Sequence, residues 1–455
     1  MLTPESVAAV AAALAPAAPL AAALALGAWT LLRRAPSESA VVRAVSASLL
    51  VSLAASLACA AAVELRGAPV ELSYGPWFSV GDYAFERALY LDRLAVAMMT
   101  LTAAVTALIA RFSSRYLHRE PGFARFFALT GVFAAGMLLL VEAASLDLLF
   151  AGWELVGLTS ALLVAFFHDR SRPVRAGLRL FVTYRVCDLG LLSAAVLLHH
   201  GARGTALARL HPAELSPALA TAVALGLLAA ASGKSAQVPA GAWLPRAMEG
   251  PTPSSALFYG ALSVHAGVYL VLRAAPLFQR SAVATAALVA VGATTTLYAT
   301  VVGRAQSDAK GAIAYATMTQ VGAMFVTAGV GLTRLTAAML VGHAALRCWQ
   351  ILRAPSALRA TLDARAAHGG ARLAPAGLFA RRVSPDLARA VYGLALERFY
   401  LDALYDRALA PVLRLAERLD AMERRLTHGA DAPAPAPRDA EAHPEPAAAA
   451  HPGGR

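Results

Sequence analysis

The sequence predicts an all-α, polytopic membrane protein: a bundle of about eleven transmembrane helices. Three observations predict it. The 455 residues are 58% hydrophobic and only 15% charged, with a mean hydropathy of +0.58, which is more apolar surface than a water-soluble fold of this size can hide. The apolar residues gather in repeated runs of about 20, long enough for a helix to cross a hydrocarbon core of roughly 30 Å and too long for the alternating strands of a barrel. The formal charge of +12 comes from arginines in short connections between those runs. That is a positive-inside pattern and not the basic face of a nucleic-acid binder.

In chain order the runs fall near 8–32, 41–63, 91–110, 126–142, 145–167, 178–199, 217–238, 253–274, 283–303, 311–331 and 335–353. The first has no basic segment before it and no convincing cleavage site, so it reads as a retained helix. Between the second and third, "ELRGAPVELSYGPWFSVGDYAFERALYLDR" alternates polar and apolar residues around Gly75, Pro76 and Gly81, the pattern of a surface hairpin. The arginine-rich connections around Arg33/Arg34/Arg43, Arg111/Arg115/Arg119/Arg125 and Arg170/Arg172/Arg175/Arg179 are alternate ones. Placing all three in the cytoplasm puts the N-terminus outside a cell inner membrane and the C-terminal part inside.

Beyond Arg353 the pattern changes. Residues 354–385 form an Ala-, Arg- and Gly-rich linker. Residues 386–428 have amphipathic helical periodicity with Pro411 as a break, and 429–455 are low-complexity and read as a disordered tail. Cys59, Cys187 and Cys348 stand alone in apolar segments, and no GxGxxG follows a strand. Nothing therefore points to a disulfide framework, a metal site or a bound redox cofactor on this chain.

Chemistry is concentrated in the charges inside the apolar runs. Only two of the 40 basic residues are lysine, Lys234 and Lys310. Lysine can lose its proton when desolvated, whereas arginine cannot be switched that way. Lys234 lies between Gly233 and Pro239, where a broken helix near 233–241 would admit polar backbone; a lysine snorkelling from a helix end is the competing reading. Glu154 sits mid-span and needs a partner or water, and a hydrogen bond between helices is its plain structural role. Asp188 follows Arg185 at i,i+3, the spacing of an intrahelical ion pair. His265 and His343 are intramembrane imidazoles suited either to proton relay or to structural hydrogen bonds, and His343 and Arg347 share a helix face at i,i+4. Lys310 begins a span and divides evenly between snorkelling and a buried role.

The strings "LDRLAVAMM", "DLLFAGWELVGLTSALLVAFF", "YRVCDLGLL", "GKSAQVPAGAWLPRAMEGPTPSSAL" and "DAKGAIAYATMTQVGAMF" together resemble the proton-translocating, antiporter-like subunits of respiratory complex I. The likeness is nearest to subunit L (chain 5), with the large Mrp antiporter subunit and the membrane subunit of inorganic-carbon uptake systems as relatives. It covers roughly 75–350, with a weaker match at "ERFYLDALYDRALAPVL". It implies an N-terminal pair of helices over 1–63, a hairpin over 64–90 and an antiporter-like translocating core over 91–353. It also implies that Glu154 and Lys234 face one another and that Lys310 lies on a central hydrophilic axis. Other membrane subunits would be partners, redox chemistry would sit on other chains, and this chain would need no cofactor.

Three departures qualify the resemblance. Tyr259 stands where the family has a bridging histidine; His265 lies six residues later, about 600° of helix away, so its ring should point elsewhere. "HAALRCWQIL" replaces the family's "HAFFKALLFL", which puts Arg347 where a titratable lysine is expected. The further helices of subunit L, with another lysine near the exit, have no counterpart after Arg353. The sequence thus reads as an ion-translocating subunit of a complex I-like assembly, with two alternatives: the membrane partner of an ion-driven inorganic-carbon uptake system, and a non-conducting subunit of the same fold.

Overall fold

The computed structural model describes residues 4–32, 36–81, 83–202, 205, 215–306, 308–354 and 384–428. It begins with α1 (Pro4–Leu31) and α2 (Glu38–Arg66), followed by an antiparallel hairpin of β1 (Val70–Val80) and β2 (Tyr83–Leu91). Then come α3 (Arg93–Tyr116), α4 (Phe123–Glu142), α5 (Leu146–Val164), α6 (Ser171–Ala202) and α7 (Pro217–Lys234). A broken region contains the short α8 (Trp243–Arg246) and α9 (Thr252–Ser255), a π-helical turn (Ala256–Ala261) and α10 (Ser263–Arg273). The short α11 (Ala275–Arg280) leads to α12 (Ala282–Gly303), α13 (Ala309–Gly329) and α14 (Thr333–Arg353). On the far side of the linker stand α15 (Pro385–Leu396) and α16 (Leu401–His428).

Among the described residues ten helical stretches are long and apolar enough to span a bilayer, and they coincide with ten of the eleven expected runs. The remaining run is α13, 21 residues long, whose Gly, Thr and Gln content lowers its hydropathy; it packs along α12 and α14 within the bundle. Helix starts follow local chemistry. Asp92, Ser145, Ser281 and Asp308 each accept a backbone N–H of the first turn of α3, α5, α12 and α13, which satisfies donors that a lipid-bound helix end would otherwise leave bare. Small residues set the close approaches: a Cβ on Gly152 of α5 would meet the Gly136 carbonyl of α4 at 2.6 Å.

Residues 252–272 are all buried within the bundle, while α1, α2 and α12 turn Val10, Leu24, Leu50 and Leu297 outward as a lipid-facing surface. The hairpin covers one end, where Leu89 bridges to Ala143 and Ala88 accepts from the Ala144 N–H. α15 and α16 lie at the opposite end. Asp402 accepts from Arg398 and from Arg246 of α8, Arg179 of α6 pairs with Asp402 and Asp406, and Tyr405 bonds Thr183. These contacts correct the expected break at Pro411. The proline lies inside α16 on an exposed face, where water can take the freed carbonyl. The chain turns instead at Arg398, Phe399 and Tyr400, all at positive φ. There Arg398 reaches Asp402 and the Phe399 ring meets Tyr298. The expected linker (354–385) and tail (429–455) fall almost entirely outside the described residues.

Candidate functional site

α7 ends at Lys234 itself, and residues 235–239 then run without regular helix before the short turns that lead into α8. Such backbone is stable at membrane depth only where protein satisfies it. Here the Gln237 N–H bonds the Ser232 carbonyl at 2.8 Å, the Val238 N–H bonds Thr295 Oγ1 at 3.0 Å, Ser235 Oγ donates to the Val264 carbonyl at 2.7 Å, and Trp243 Nε1 donates to the Gly233 carbonyl at 2.9 Å. The break is therefore built into the packing, and it delivers Lys234 to a buried position, 1% exposed. This burial rules out the snorkelling alternative.

The ammonium donates to the Trp153 carbonyl at 3.0 Å and lies 4.2 Å from the Tyr184 ring centroid and 4.8 Å from that of Trp153. Two π faces and a carbonyl stabilise a cation without a formal counter-charge. Room for it comes from Gly157, where a Cβ would stand 2.9 Å from Lys234 Nζ and 3.3 Å from an Arg185 nitrogen.

The expected facing pair of Glu154 and Lys234 requires correction. Glu154 is salt-bridged to Arg185, which also holds Asp188 at 2.8 Å, and Asp188 accepts from Trp153 Nε1 at 2.5 Å. Among the described residues Lys234 has no carboxylate in ion-pair contact. The reason is geometric: α6 lies between α5 and α7, and its longer arginine fork reaches the carboxylate first. The Arg185–Asp188 contact itself is the i,i+3 pair expected from spacing. If fully ionised, the four groups Glu154, Arg185, Asp188 and Lys234 balance to zero. Arg185 cannot readily change its charge, so Lys234 is the cation that can.

A second cluster joins α10 and α14. His265 Nε2 lies 2.8 Å from His343 Nδ1, and Arg347 Nε donates to His343 Nε2 at 3.1 Å while its Nη1 donates to Gln350 at 2.6 Å. Spacing alone paired His343 with Arg347 but left His265 unassigned. As expected, His265 and Tyr259 point to different partners: the Tyr259 hydroxyl serves the Ala247 carbonyl and Ser255. Between the clusters, the Tyr184 hydroxyl approaches Ser263, two residues before His265, without a closed hydrogen bond. Lys310 is half-buried and donates to Thr252 Oγ1 at 3.0 Å, which also meets the Tyr116 hydroxyl; it stays apart from both clusters. A shallow, open surface groove runs between α13 and α14, lined in part by Arg347, Gln350 and Arg353. Among the described residues no group of three or more His, Cys, Asp or Glu could hold a metal.

Sequence reasoning missed the aromatic seat of Lys234, the reach of Arg185 to Glu154, and Glu142, a fully buried carboxyl at the end of α4. A lone acid closing an apolar run was the available signal for the last of these.

Comparison with known proteins identifies the family. The family profile described as "NADH:quinone oxidoreductase/Mrp antiporter, TM" matches residues 143–365, and "NADH-Ubiquinone oxidoreductase (complex I), chain 5 N-terminus" matches 77–127. The chain belongs to the antiporter-like subunit family of complex I and Mrp complexes. It is 40% identical over 258 residues to NADH-quinone oxidoreductase subunit L of Mycobacterium tuberculosis, 56% of this chain and 41% of that one. It is 38% identical over 291 residues to the Escherichia coli subunit L, 62% of this chain and 47% of that one. The chain thus spans less than half the length of these relatives.

Among solved structures, this antiporter-like chain superposes on a chain of the Mrp complex from Dietzia sp. with a TM-score of 0.61 and 29% identity, covering 76% of this chain and 36% of that one. A chain of the archaeal membrane-bound sulfane sulfur reductase shares the fold, with a TM-score of 0.63 and 21% identity, over 88% of this chain and 82% of that one.

Proposed function

We propose that this chain is a membrane-embedded proton- or cation-translocating subunit of a complex I-like assembly, working with other membrane subunits and carrying no redox chemistry itself. One observation carries the reading: a titratable lysine is buried at a helix break, seated on two aromatic faces beside a carboxylate–arginine–carboxylate chain. At an effective dielectric near 20, moving a unit charge from about 4 to about 8 Å from the ammonium changes its energy by about 2 kcal/mol. Shifting Arg185 between Glu154 and Asp188 is a movement of that kind. It would drive the proton off Lys234 or back onto it, with Tyr184 and Ser263 leading toward His265 and His343. Lys310 would serve the cytoplasmic side. The arginine-rich connections favour an inner-membrane topology with the N-terminus outside and the C-terminal helices in the cytoplasm. Lys234→Ala in the assembled complex is expected to abolish ion translocation with assembly intact; unchanged flux sinks the assignment.

A second reading, a subunit of the same fold that does not conduct by itself, is favoured by Arg347. It is 5% exposed, bonded to His343, and unable to pass a proton on. In this reading a partner subunit would have to supply the rest of the path.

A further inference from the structure

Glu142 takes no part in either cluster. It is 0% exposed at the hairpin end of α4, and neither carboxyl oxygen has a hydrogen-bond partner among the described residues. Among the described residues, titratable groups in electrostatic range include Cys59 of α2, Tyr74 of β1 and Tyr269 of α10. Each spends its hydrogen on backbone: Cys59 Sγ on the Ala8 carbonyl at 3.9 Å, the Tyr74 hydroxyl on the Ala9 carbonyl at 2.5 Å, and the Tyr269 hydroxyl on the Val141 carbonyl. The charged groups at this end are engaged elsewhere. Glu5 pairs with Arg66, Glu64 with Arg93, Asp92 with Arg273, and Asp147 accepts from Thr205. Glu71, Glu86 and Arg87 lie on the exposed hairpin. An ionised carboxylate in this setting would have neither donor nor counter-charge, which is far costlier than a neutral acid.

Tyr269 also connects the site to the surface. It stands one turn after His265 on α10, and its oxygen accepts at 2.6 Å from Arg273, one turn further on, which holds Asp92 at 2.7 Å at the hairpin end. We propose that Glu142 is a proton-carrying carboxylic acid of the hairpin-side half of the bundle, exchanging its proton with that side along the Tyr269 hydroxyl toward the Asp92 carboxylate, both of which Arg273 holds in place as a fixed charge. This gives the chain a protonation site on α4, separate from Lys234.

The test uses the assembled complex in sealed vesicles and a hydrophobic carbodiimide. The reagent adds to a neutral carboxyl: the acid's proton passes to a carbodiimide nitrogen, the carboxyl oxygen bonds the central carbon, and nothing leaves. Peptide mass spectrometry should place an adduct on Glu142 near neutral pH and none on the arginine-bound Glu154. Glu142→Gln should abolish it. Labelling should fall as pH is raised on the hairpin side and stay constant when only the opposite side is changed. Absence of the adduct, dependence on the opposite side, or protection by Na+ but not K+ would each overturn the proposal. Labelling reads the proton whether or not ions flow, so failure here is distinct from failure of the translocation reading.

Discussion

His265 and His343 share a 2.8 Å hydrogen bond across α10 and α14, and the neighbouring arginine decides how its proton is placed. Arg347 Nε donates to His343 Nε2, so that nitrogen accepts. A neutral His343 then carries its proton on Nδ1 and gives it to His265 Nε2, which leaves His265 protonated on Nδ1. Nitrogen-15 NMR of the labelled protein should show both rings as Nδ1–H tautomers, and Arg347→Gln should release His343 into a mixture. An Nε2–H signal for His343 in the unaltered protein would contradict this network.

The same arrangement makes Arg347 a barrier to onward transfer. Arg347→Lys restores a cation that can release a proton. If the path runs through His343, flux in the assembled complex should rise, by about tenfold or more on the scale of one positioned acid–base group. No change would mean that ions leave by another route.

Lys234→Arg separates charge from titration. The guanidinium keeps the cation over Trp153 and Tyr184, and the tighter fit should cost about 1–3 kcal/mol, yet it cannot release a proton. Translocation should fall by about 10²-fold or more while assembly on native gels persists. Retained flux would show that a fixed positive charge suffices.

Gly157→Ala tests the seat from the other side. Its methyl would stand 2.9 Å from Lys234 Nζ, so the ammonium must shift off the Tyr184 face. The expected result is a loss of flux of about tenfold for a stability change near 1 kcal/mol, read by ion uptake and by thermal melting in detergent.

Asp402 anchors the C-terminal helices. Burial pushes its carboxyl up, but Arg398 and Arg246 outweigh this and hold it below the usual carboxylate range. A depressed carboxyl stabilises docking at pH above its unfolded value, and the contribution is lost as pH falls through the folded one. Hydrogen exchange in α15 and α16 should therefore quicken on acidification. Asp402→Asn should quicken it at neutral pH too, with a loss of about 2 kcal/mol for hydrogen bonds between charged groups.

Much of this was legible in one dimension. Runs of about 20 apolar residues reported the spans because lipid demands that each backbone be satisfied within its own helix. The oddity of Lys234 was legible because lysine is rare in this chain and costly in a membrane. Partnerships were not. Glu154 met Arg185 and not Lys234, His265 met His343 from 78 residues away, and Pro411 failed to break its helix while Arg398–Tyr400 did.

The sequence by itself determined that this is a helical membrane protein, roughly where its spans fall, and that Lys234 is an unusual residue within one, since these depend on local hydropathy and residue chemistry. Only the tertiary structure decided which charge neutralises which, that a carbonyl and two aromatic rings seat Lys234, and that Glu142 is left with no donor. Those outcomes depend on which helix lies between which others, and on whose donors are already spent on backbone carbonyls, and no spacing along a single helix encodes either.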